Sequence, residues 1–306
     1  MKIIQNVYYA LILSVTIGIF PEEVDSSVDL VPLSLQKDIN IYEPLISFLV
    51  STGLPEQDVK LFFQDIRTEY YKNLLVDKLP STKHSSSHSF VKRNEIKRLS
   101  TDQFLKEYNE YLENAEKIYN VDKETIAAVL YVETKFGKFI GRYSIFNTLT
   151  SLAIANEEHS LDTLYNRIDQ KYSKYSDKRR SNLKKYYKKY AARKSLLAKM
   201  ELANLIKIQL NNETDIHEIS GSYAGAFGYP QFMPSSFLKY GVDGDNDGIV
   251  DLFNFPDAIY SIANYLSEKG WDTDHRAKRL ALLRYNYSKK YVNDVFACAS
   301  NFRNSF

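Results

Sequence analysis

The chain has 306 residues, of which 44% are hydrophobic and 25% charged, and its formal net charge is +2. This composition is ordinary for a globular protein and argues against an intrinsically disordered chain. A single cysteine, Cys298, excludes an intramolecular disulfide, so cysteine content gives no information about the redox compartment.

The N-terminal segment begins with one lysine and continues into an uncharged stretch, residues 7–20, that ends before Pro21. This stretch is shorter than the roughly 20 residues that a membrane-spanning helix needs, and it is typical of a signal-peptide core. Because no clear cleavage pattern follows, residues 1–20 are predicted to be a signal peptide or an uncleaved N-terminal anchor. Export to the periplasm or cell envelope is expected, with membrane association through this segment if it is retained.

The rest of the chain shows helical rather than strand periodicity. Apolar residues recur at three- and four-residue spacing, and almost no run alternates as a strand does. Residues 41–79 predict two helices separated near Gly53 and Pro55. We therefore predict a mainly α fold, with an N-terminal helical region at 21–98 and the main domain at 99–306. Helices are predicted in that domain at about 101–119, 123–136, 144–156, 161–168, 196–210, 257–269 and 277–285.

Residues 171–194 form a strongly basic segment in which Lys or Arg residues alternate with tyrosines. The segment holds eleven basic residues and one acid, a local charge of +10, so the remainder of the chain sums to −8. One interpretation is a surface that steers an anionic polymer, and the favoured alternative is a solvated helix or mobile insertion. No nucleic-acid-binding motif is present, so no nucleic-acid partner is expected.

Residues 131–141, YVETKFGKFIG, place a carboxylate in an otherwise apolar helical segment. Glu133 shares a helical stripe with three apolar residues, so it should point toward the core or the floor of a cleft. Desolvation there would raise the pKa of the carboxyl, which suits a general acid that keeps its proton near neutral pH. The alternative is an acid at a helix end that pairs with Lys135 or Lys138.

Residues 221–236, GSYAGAFGYPQFMPSS, combine glycines with aromatic and amide side chains. Three glycines in eight residues let the backbone approach a ligand closely, and side chains such as Ser222 and Gln231 can supply hydrogen bonds. A binding-cleft loop is predicted here, and a plain connection between helices is the alternative.

The run DGDNDGIVD begins at residue 243 and resembles the start of an EF-hand calcium loop. Its first three acids occupy positions 1, 3 and 5, and Gly248 occupies position 6. Position 12, normally Glu, is Asn254, so an acid three residues later is expected to close the site. The predicted ligands are the side chains of Asp243, Asp245, Asp247 and Asp257 and the backbone carbonyl of Ile249. Calcium is the default ion for such oxygen ligands, and a solvated acidic turn is the alternative.

Four blocks of the chain together resemble the membrane-bound lytic murein transglycosylase B family, glycoside hydrolase family 103. In order they are VETKFGKFIGRYSIFNTLTSLA from residue 132, GSYAGAFGYPQFMPSSF from 221, VDGDNDGIVDLFNFPDAIYSIANYL from 242 and ALLRYN from 281. The resemblance covers most of residues 99–295. It implies a lysozyme-like helical catalytic domain of the goose-type or SLT-like kind, with an additional N-terminal helical segment. This domain would contain an EF-hand-like loop at 243–257 and the basic insertion at 171–194.

The same resemblance implies an activity on peptidoglycan. The enzyme would cleave the β-1,4 bond between N-acetylmuramic acid and N-acetylglucosamine and close the muramyl 6-hydroxyl onto C1, leaving a 1,6-anhydro end. Glu133 is implied as the acid/base, and Gln231 is expected to contact it. The implied substrate-binding residues are Ser222, Gln231, Tyr265, Tyr285 and Asn286. When the substrate supplies its own nucleophile, one carboxyl group can serve both proton transfers, whereas most glycosidases use two.

The expected partner is the peptidoglycan glycan strand, with structural Ca²⁺, no organic cofactor and a monomeric protein. Two residues depart from the family pattern: Pro230 stands where Gly is expected, and Phe136 replaces Trp. Two other functions stay open at this point. A hydrolytic muramidase would use the same Glu133 but leave reducing ends, and a catalytically silent protein would bind the wall without cleaving it.

Overall fold

The computed structural model describes residues 41–72, 74–75, 100–211 and 214–303, and within them the chain is mainly helical, as predicted. The helices are α1 (Glu43–Ser51), α2 (Glu56–Gln64), α3 (Thr101–Glu107), α4 (Asn109–Tyr119), α5 (Lys123–Thr134), α6 (Ile145–Ala153), α7 (Glu158–Lys171), α8 (Asp177–Asn211), α9 (Pro234–Tyr240), α10 (Phe255–Glu268), α11 (His275–Tyr285) and α12 (Lys289–Phe302). Two short strands, β1 (Tyr143–Ser144) and β2 (Ser220–Gly221), pair antiparallel. In the described part of the chain, no helix has the length and apolar character needed to cross a membrane.

Short polar side chains begin several of these helices. Ser100 forms a capping box with Gln103 at the start of α3. Asp274 accepts a hydrogen bond from the Ala277 amide at the start of α11, and Ser288 accepts one from the Tyr291 amide at the start of α12. Such caps satisfy backbone donors that have no partner within the helix, so they fix where each helix begins.

Several helix boundaries differ from the sequence-based prediction. The single helix expected over 101–119 is divided at Tyr108, whose backbone (φ −106°, ψ 12°) leaves the α conformation between α3 and α4. From Asp177 onward the basic segment is continuous with the apolar helix after it, and the two form the 35-residue helix α8. The N-terminal segment 1–20 and the predicted boundary between residues 98 and 99 lie outside the described residues.

The described chain divides into two compact units, and the first contains residues 100–140 and 227–303. Its central helix α5 packs against α12, α10 and α4. Aromatic rings fill this core: Phe104 stacks on Phe136 with ring centroids 3.9 Å apart, and Phe255 meets Phe104 edge-on. Phe136, one of the two departures from the family pattern, is therefore a core residue.

The second unit contains described residues from 41–75 and 141–226. Its helix α8 packs against α1, α6 and α7. The strand pair of this unit depends on close backbone approach at Gly141, which has a left-handed φ of 85°. A Cβ atom at Gly141 would lie 2.0 Å from the Gly221 carbonyl oxygen, so a side chain cannot be accommodated there without movement of the backbone.

Candidate active site

Helix α5 ends just after it has placed Glu133, and the backbone then turns sharply. Lys135, Phe136 and Gly137 follow with positive φ values of 51°, 53° and 79°. The Thr134 hydroxyl holds this turn, because it accepts a 3.1 Å hydrogen bond from the Gly137 amide. Such a left-handed exit closes the helix and exposes its last turn. The resulting geometry leaves Glu133 partly exposed, whereas the apolar residues of its stripe, Ile126, Val129 and Leu130, are fully buried.

Burial raises the pKa of the Glu133 carboxyl to about 8, and the nearby hydroxyl of Tyr291 lowers that pKa by a smaller amount. No charged group of the described chain contributes to the shift. Of the two lysines considered as alternative partners, Lys135 places its Nζ 3.9 Å from the centroid of the Tyr131 ring, and neither Lys135 nor Lys138 contributes to the shift of the Glu133 pKa. With a pKa of about 8, Glu133 is mostly protonated at pH 7, which is the state of a general acid.

Two tyrosines of the first unit, Tyr285 and Tyr291, lie near the Glu133 carboxyl, and a third, Tyr265, packs against Tyr285. Tyr285 lies edge-on to Tyr265 with centroids 4.8 Å apart, and its ring is parallel to that of Tyr291 at 6.1 Å. Burial raises the phenol pKa values of Tyr285 and Tyr291 well above the usual value, and the nearby Glu133 raises both further. The hydroxyls of Tyr285 and Tyr291 are therefore neutral at neutral pH.

The three hydroxyl groups have different partners. Tyr265 donates to the Arg284 carbonyl at 2.6 Å, and Tyr285 donates to the Pro230 carbonyl at 2.6 Å. The Tyr291 hydroxyl is buried beside Glu133, but no described residue forms a hydrogen bond of normal geometry with it. The hydroxyls of Tyr265 and Tyr285 therefore support backbone segments of the site. The hydroxyl of Tyr291 is the one that can respond to the protonation state of Glu133.

Tyr291 is the functional residue that sequence reasoning missed. It is 2% exposed and lies in the first turn of α12, where the Ser288 cap fixes the start of the helix. The only sequence signal is a short polar connection followed by an apolar helical pattern after the RYN motif. That pattern indicates a helix but does not indicate which side of it meets Glu133.

The predicted binding loop places Gln231 in a left-handed conformation, with φ of 51°. Its side-chain nitrogen donates to the carbonyl of Gly228 at 2.8 Å and to that of Ile140 at 3.2 Å. The expected contact with Glu133 is not among these hydrogen bonds. Gln231 therefore holds the loop and the segment after α5 together, and its amide oxygen has no donor among the described residues.

Two other predicted substrate-binding residues also retain polar atoms for a ligand. The side-chain oxygen of Asn286 is buried and has no hydrogen-bond donor in the described chain. In the second unit, the Ser222 oxygen accepts hydrogen bonds from the amides of Ala224 at 3.3 Å and Ala226 at 3.1 Å. Both bonds use the Ser222 oxygen as acceptor, so its hydroxyl proton is available for donation.

The acidic loop brings three of the predicted metal-ligating carboxylates together. Oxygen atoms of Asp243, Asp245 and Asp247 lie within 4.8 Å of one another. The loop turns back through Asn246 and Gly248, whose φ values are 61° and 91°. Converging carboxylate oxygens repel each other unless a hard cation lies between them, so the donor set fits Ca²⁺ and the cluster is compatible with calcium.

The fourth predicted carboxylate ligand, Asp257, is buried and bound to backbone amides of the loop. It is 1% exposed, and its two carboxylate oxygens accept hydrogen bonds from the backbone amides of Gly244 at 2.8 Å and Asp251 at 2.6 Å. Asn254, at position 12, donates to an Asp245 oxygen at 2.6 Å. Asp257 thus connects two parts of the loop through its hydrogen bonds to backbone amides.

Comparison with known proteins gives three consistent findings. The family model of the Transglycosylase SLT domain matches residues 42–294. Membrane-bound lytic murein transglycosylase B of Escherichia coli is 30% identical over 168 residues, which are 55% of this chain and 37% of that protein. The match thus spans little more than a third of the length of this curated relative.

Solved structures share the fold. Soluble lytic transglycosylase SltB1 from Pseudomonas aeruginosa is 20% identical, with a TM-score of 0.63 over 86% of this chain and 99% of that one. The Escherichia coli lytic transglycosylase SLT35 in complex with calcium is 19% identical, with a TM-score of 0.61 over 87% of this chain and 93% of that one. The predicted lysozyme-like, SLT-like fold is therefore confirmed.

Proposed function

Because the chain belongs to the Transglycosylase SLT domain family, we propose that it is a lytic transglycosylase that cleaves peptidoglycan glycan strands. In this reaction the bond between N-acetylmuramic acid and N-acetylglucosamine breaks, and the muramyl 6-hydroxyl replaces the leaving sugar at C1. The products are a free N-acetylglucosamine hydroxyl and a 1,6-anhydromuramyl end. No water is consumed, since the 6-hydroxyl proton replaces the proton given to the leaving group.

One observation carries this proposal: Glu133 is a partly exposed carboxyl whose pKa of about 8 is set by burial rather than by a second acid. A carboxyl that is neutral at pH 7 can protonate the glycosidic oxygen. As a carboxylate it can then accept the proton of the 6-hydroxyl. A hydrolytic glycosidase would instead need a second carboxylate as nucleophile or as base for water, and none among the described residues influences the Glu133 pKa.

The surrounding polar groups suit a carbohydrate ligand. The free amide oxygens of Gln231 and Asn286 can accept hydrogen bonds from sugar hydroxyls or N-acetyl groups. Tyr265 and Tyr285 are proposed to line the site with their rings and to stabilise its backbone, because their hydroxyls are bound to backbone carbonyls. Ser222 is proposed to donate its hydroxyl proton to the glycan.

Calcium is proposed as a structural ion of the loop at 243–257. The carboxylates of Asp243, Asp245 and Asp247 would hold it, together with the Ile249 carbonyl, and Asp257 would brace the loop or add an oxygen. The solved relative with calcium supports the choice of ion. Its role would be to fix the loop that leads into α10, with no part in the chemical step.

Export to the periplasm or cell envelope is proposed as well, since peptidoglycan lies outside the cytoplasmic membrane. The uncharged stretch at residues 7–20 supports this localisation. A monomer that uses no organic cofactor suffices for the chemistry described above.

The test is mass spectrometry of the muropeptides released from purified sacculi by the wild-type protein and by Glu133→Gln. The wild type is expected to release anhydro-muropeptides, and the variant is expected to release at least 100-fold less, because the amide cannot transfer a proton. Products one water heavier would establish a hydrolytic muramidase. Binding to sacculi without any released product from the wild type would establish a wall-binding protein instead.

A further inference from the structure

The long helix α8 carries five of its eleven Lys and Arg residues as exposed side chains on one side. We define its basic face as the exposed Lys178, Lys185, Lys188, Lys189 and Arg193 together with Tyr186, Leu196 and Met200. At 3.6 residues per turn, these eight residues fall within an arc of about 160°. Between the first and last of the five charges the face runs about 22 Å along the axis.

The positive charge of this face is not neutralised within the unit. Two other cations, Arg180 and Lys184 on the packed side of α8, form ion pairs with Asp169. Arg180 also forms an ion pair with Asp177. Farther along α8, the acid Glu201 is 1% exposed. None of the five cations of the basic face forms an ion pair with a residue in the described ranges. Five like charges in about four helical turns repel each other, so the face is suited to an extended anionic partner.

The same face also exposes apolar side chains. Tyr186 is 58% exposed, Leu196 is 59% exposed and Met200 is 37% exposed. By contrast, Leu183 and Tyr187 on the opposite side pack against the small core formed by Leu161, Leu164, Ile168 and Ala191. The exposed apolar groups are therefore not needed to hold α8 in place.

From this combination we infer that the basic face of α8 docks on an anionic lipid surface. The lysines and the arginine would lie at the level of the lipid phosphates, and Leu196, Met200 and the Tyr186 ring would enter the interface between headgroups and acyl chains. A soluble polyanion would satisfy the charges but leave these apolar groups in water. The lipid surface is the partner that matches both properties.

This inference does not depend on the proposed enzymatic activity. It concerns a face of the second unit, whereas Glu133 belongs to the first. It describes a peripheral contact, separate from the predicted N-terminal anchor. Loss of lipid binding and loss of peptidoglycan cleavage are consequently separate outcomes.

The test is sedimentation of the full chain with vesicles that contain phosphatidylglycerol, compared with vesicles of pure phosphatidylcholine. The probe variant is Lys178→Gln/Lys185→Gln/Lys189→Gln. The matched control is Lys106→Gln/Lys117→Gln/Lys239→Gln, which removes the same charge from exposed lysines of the first unit. Because the N-terminal segment is identical in every variant, its contribution to binding cancels in the comparison.

Each lysine near an anionic surface contributes roughly a fivefold factor in affinity, so the probe variant is expected to bind about 100-fold more weakly. The control variant is expected to stay within about twofold of the wild type. Equal loss in the two triple variants, or no loss in either, would overturn the inference.

A second measurement separates lipid from polyanion. In Tyr186→Trp, the new indole is expected to shift its emission to the blue on phosphatidylglycerol vesicles, relative to the wild-type signal of the single native Trp271. Leu196→Ser should weaken vesicle binding and leave any binding of soluble polyphosphate unchanged. Tight polyphosphate binding without a blue shift on vesicles would contradict a lipid surface and identify the face as a polyanion site.

Discussion

The hydroxyl of Tyr291 lies beside the carboxyl of Glu133, and no charged group in the described ranges contributes to the pKa of that carboxyl. The acid is thus controlled by two neutral effects that oppose each other. Burial raises the pKa, and the phenol hydroxyl lowers it by a smaller amount. The pKa of Glu133 should therefore depend little on salt concentration, because no exposed ion pair contributes to it.

The raised pKa of Glu133 predicts a pH-dependent stability. Between the ordinary carboxyl pKa of 4.5 and the folded value of about 8, the unfolded chain releases this proton while the folded chain keeps it, so rising pH favours unfolding. Glu133→Gln removes this effect. The variant should match the wild type near pH 4.5 and exceed its free energy of unfolding by roughly 2–3 kcal/mol at pH 7.

Urea denaturation at pH 5, 6 and 7 measures this difference. Glu158→Gln, which changes an exposed acid of α7, is the control and should show a constant offset from the wild type. A gap between wild type and Glu133→Gln that does not grow with pH would show that the carboxyl has an ordinary pKa in the folded protein.

Removing the Tyr291 hydroxyl should shift the pH profile of activity. Since this hydroxyl lowers the Glu133 pKa, Tyr291→Phe should raise it, and the alkaline limb of the profile should move upward by up to about one pH unit. Global stability should change little, because the buried hydroxyl has no hydrogen-bond partner of normal geometry in the described chain. Initial rates on sacculi between pH 6 and 9 measure the limb. Tyr119→Phe, on α4, is the control, and an unmoved limb in Tyr291→Phe would contradict the prediction.

Tyr285 and Tyr287 provide a matched pair for the loop that carries Gln231. Tyr285→Phe removes the donor of the 2.6 Å bond to the buried Pro230 carbonyl and should cost about 1–3 kcal/mol of unfolding free energy. Tyr287→Phe changes a side chain that is 66% exposed and should have an effect within about 0.5 kcal/mol. Thermal and urea unfolding of both variants test this, and equal effects would argue against a supporting role for the Tyr285 hydroxyl.

Calcium should stabilise the protein through the acidic loop. At a concentration 100-fold above its dissociation constant, the ion is expected to raise the melting temperature by about 5–10 °C. Asp245→Ala should abolish this gain, whereas Asp102→Ala, an exposed acid of α3, should retain it. Differential scanning fluorimetry with calcium and with a chelator gives the comparison. Identical melting curves of the wild type in the two conditions would exclude a calcium site.

Substitutions at two glycines with similar φ values distinguish the cost of backbone strain from the cost of a steric clash. Gly141→Ala places a methyl group 2.0 Å from the Gly221 carbonyl oxygen and should destabilise the protein by about 3–5 kcal/mol. At Gly53, φ is 92° but nothing lies within 4 Å of a Cβ, so Gly53→Ala should cost only about 1 kcal/mol. Urea denaturation of the two variants measures the difference, and similar costs would show that the strands separate easily at Gly141.

Local patterns in the sequence were sufficient to predict a mainly helical chain and the position of Glu133 on a buried helical stripe. The helical periodicity around Glu133 predicted α5 and the burial of its stripe, because a helix fixes the direction of each side chain from its spacing alone. The three carboxylates of the acidic loop came together for a similar reason, since their spacing is short and the turn residues lie between them.

Relationships between distant segments could not be predicted in this way. Nothing near Tyr291 in the chain indicates that it meets Glu133, because that contact depends on how α12 packs against α5. The end of α3 at Tyr108 was not predicted either, because the apolar pattern continues through this residue while its backbone leaves the α conformation. Asp257 is expected among the ion ligands, and the structure adds two hydrogen bonds from loop amides to its oxygens, which no spacing rule identifies.

The packing of α5 against α12 has a consequence for the order of events during synthesis. Residues 123–134 leave the ribosome long before residues 289–302, so the acid exists in the nascent chain without the tyrosines that enclose it. Until the later helix arrives, Glu133 is solvated and its proton is lost at neutral pH. The protonated form of Glu133 at neutral pH therefore appears only when the first unit has folded around it, which couples the onset of the proposed lytic activity to completion of folding.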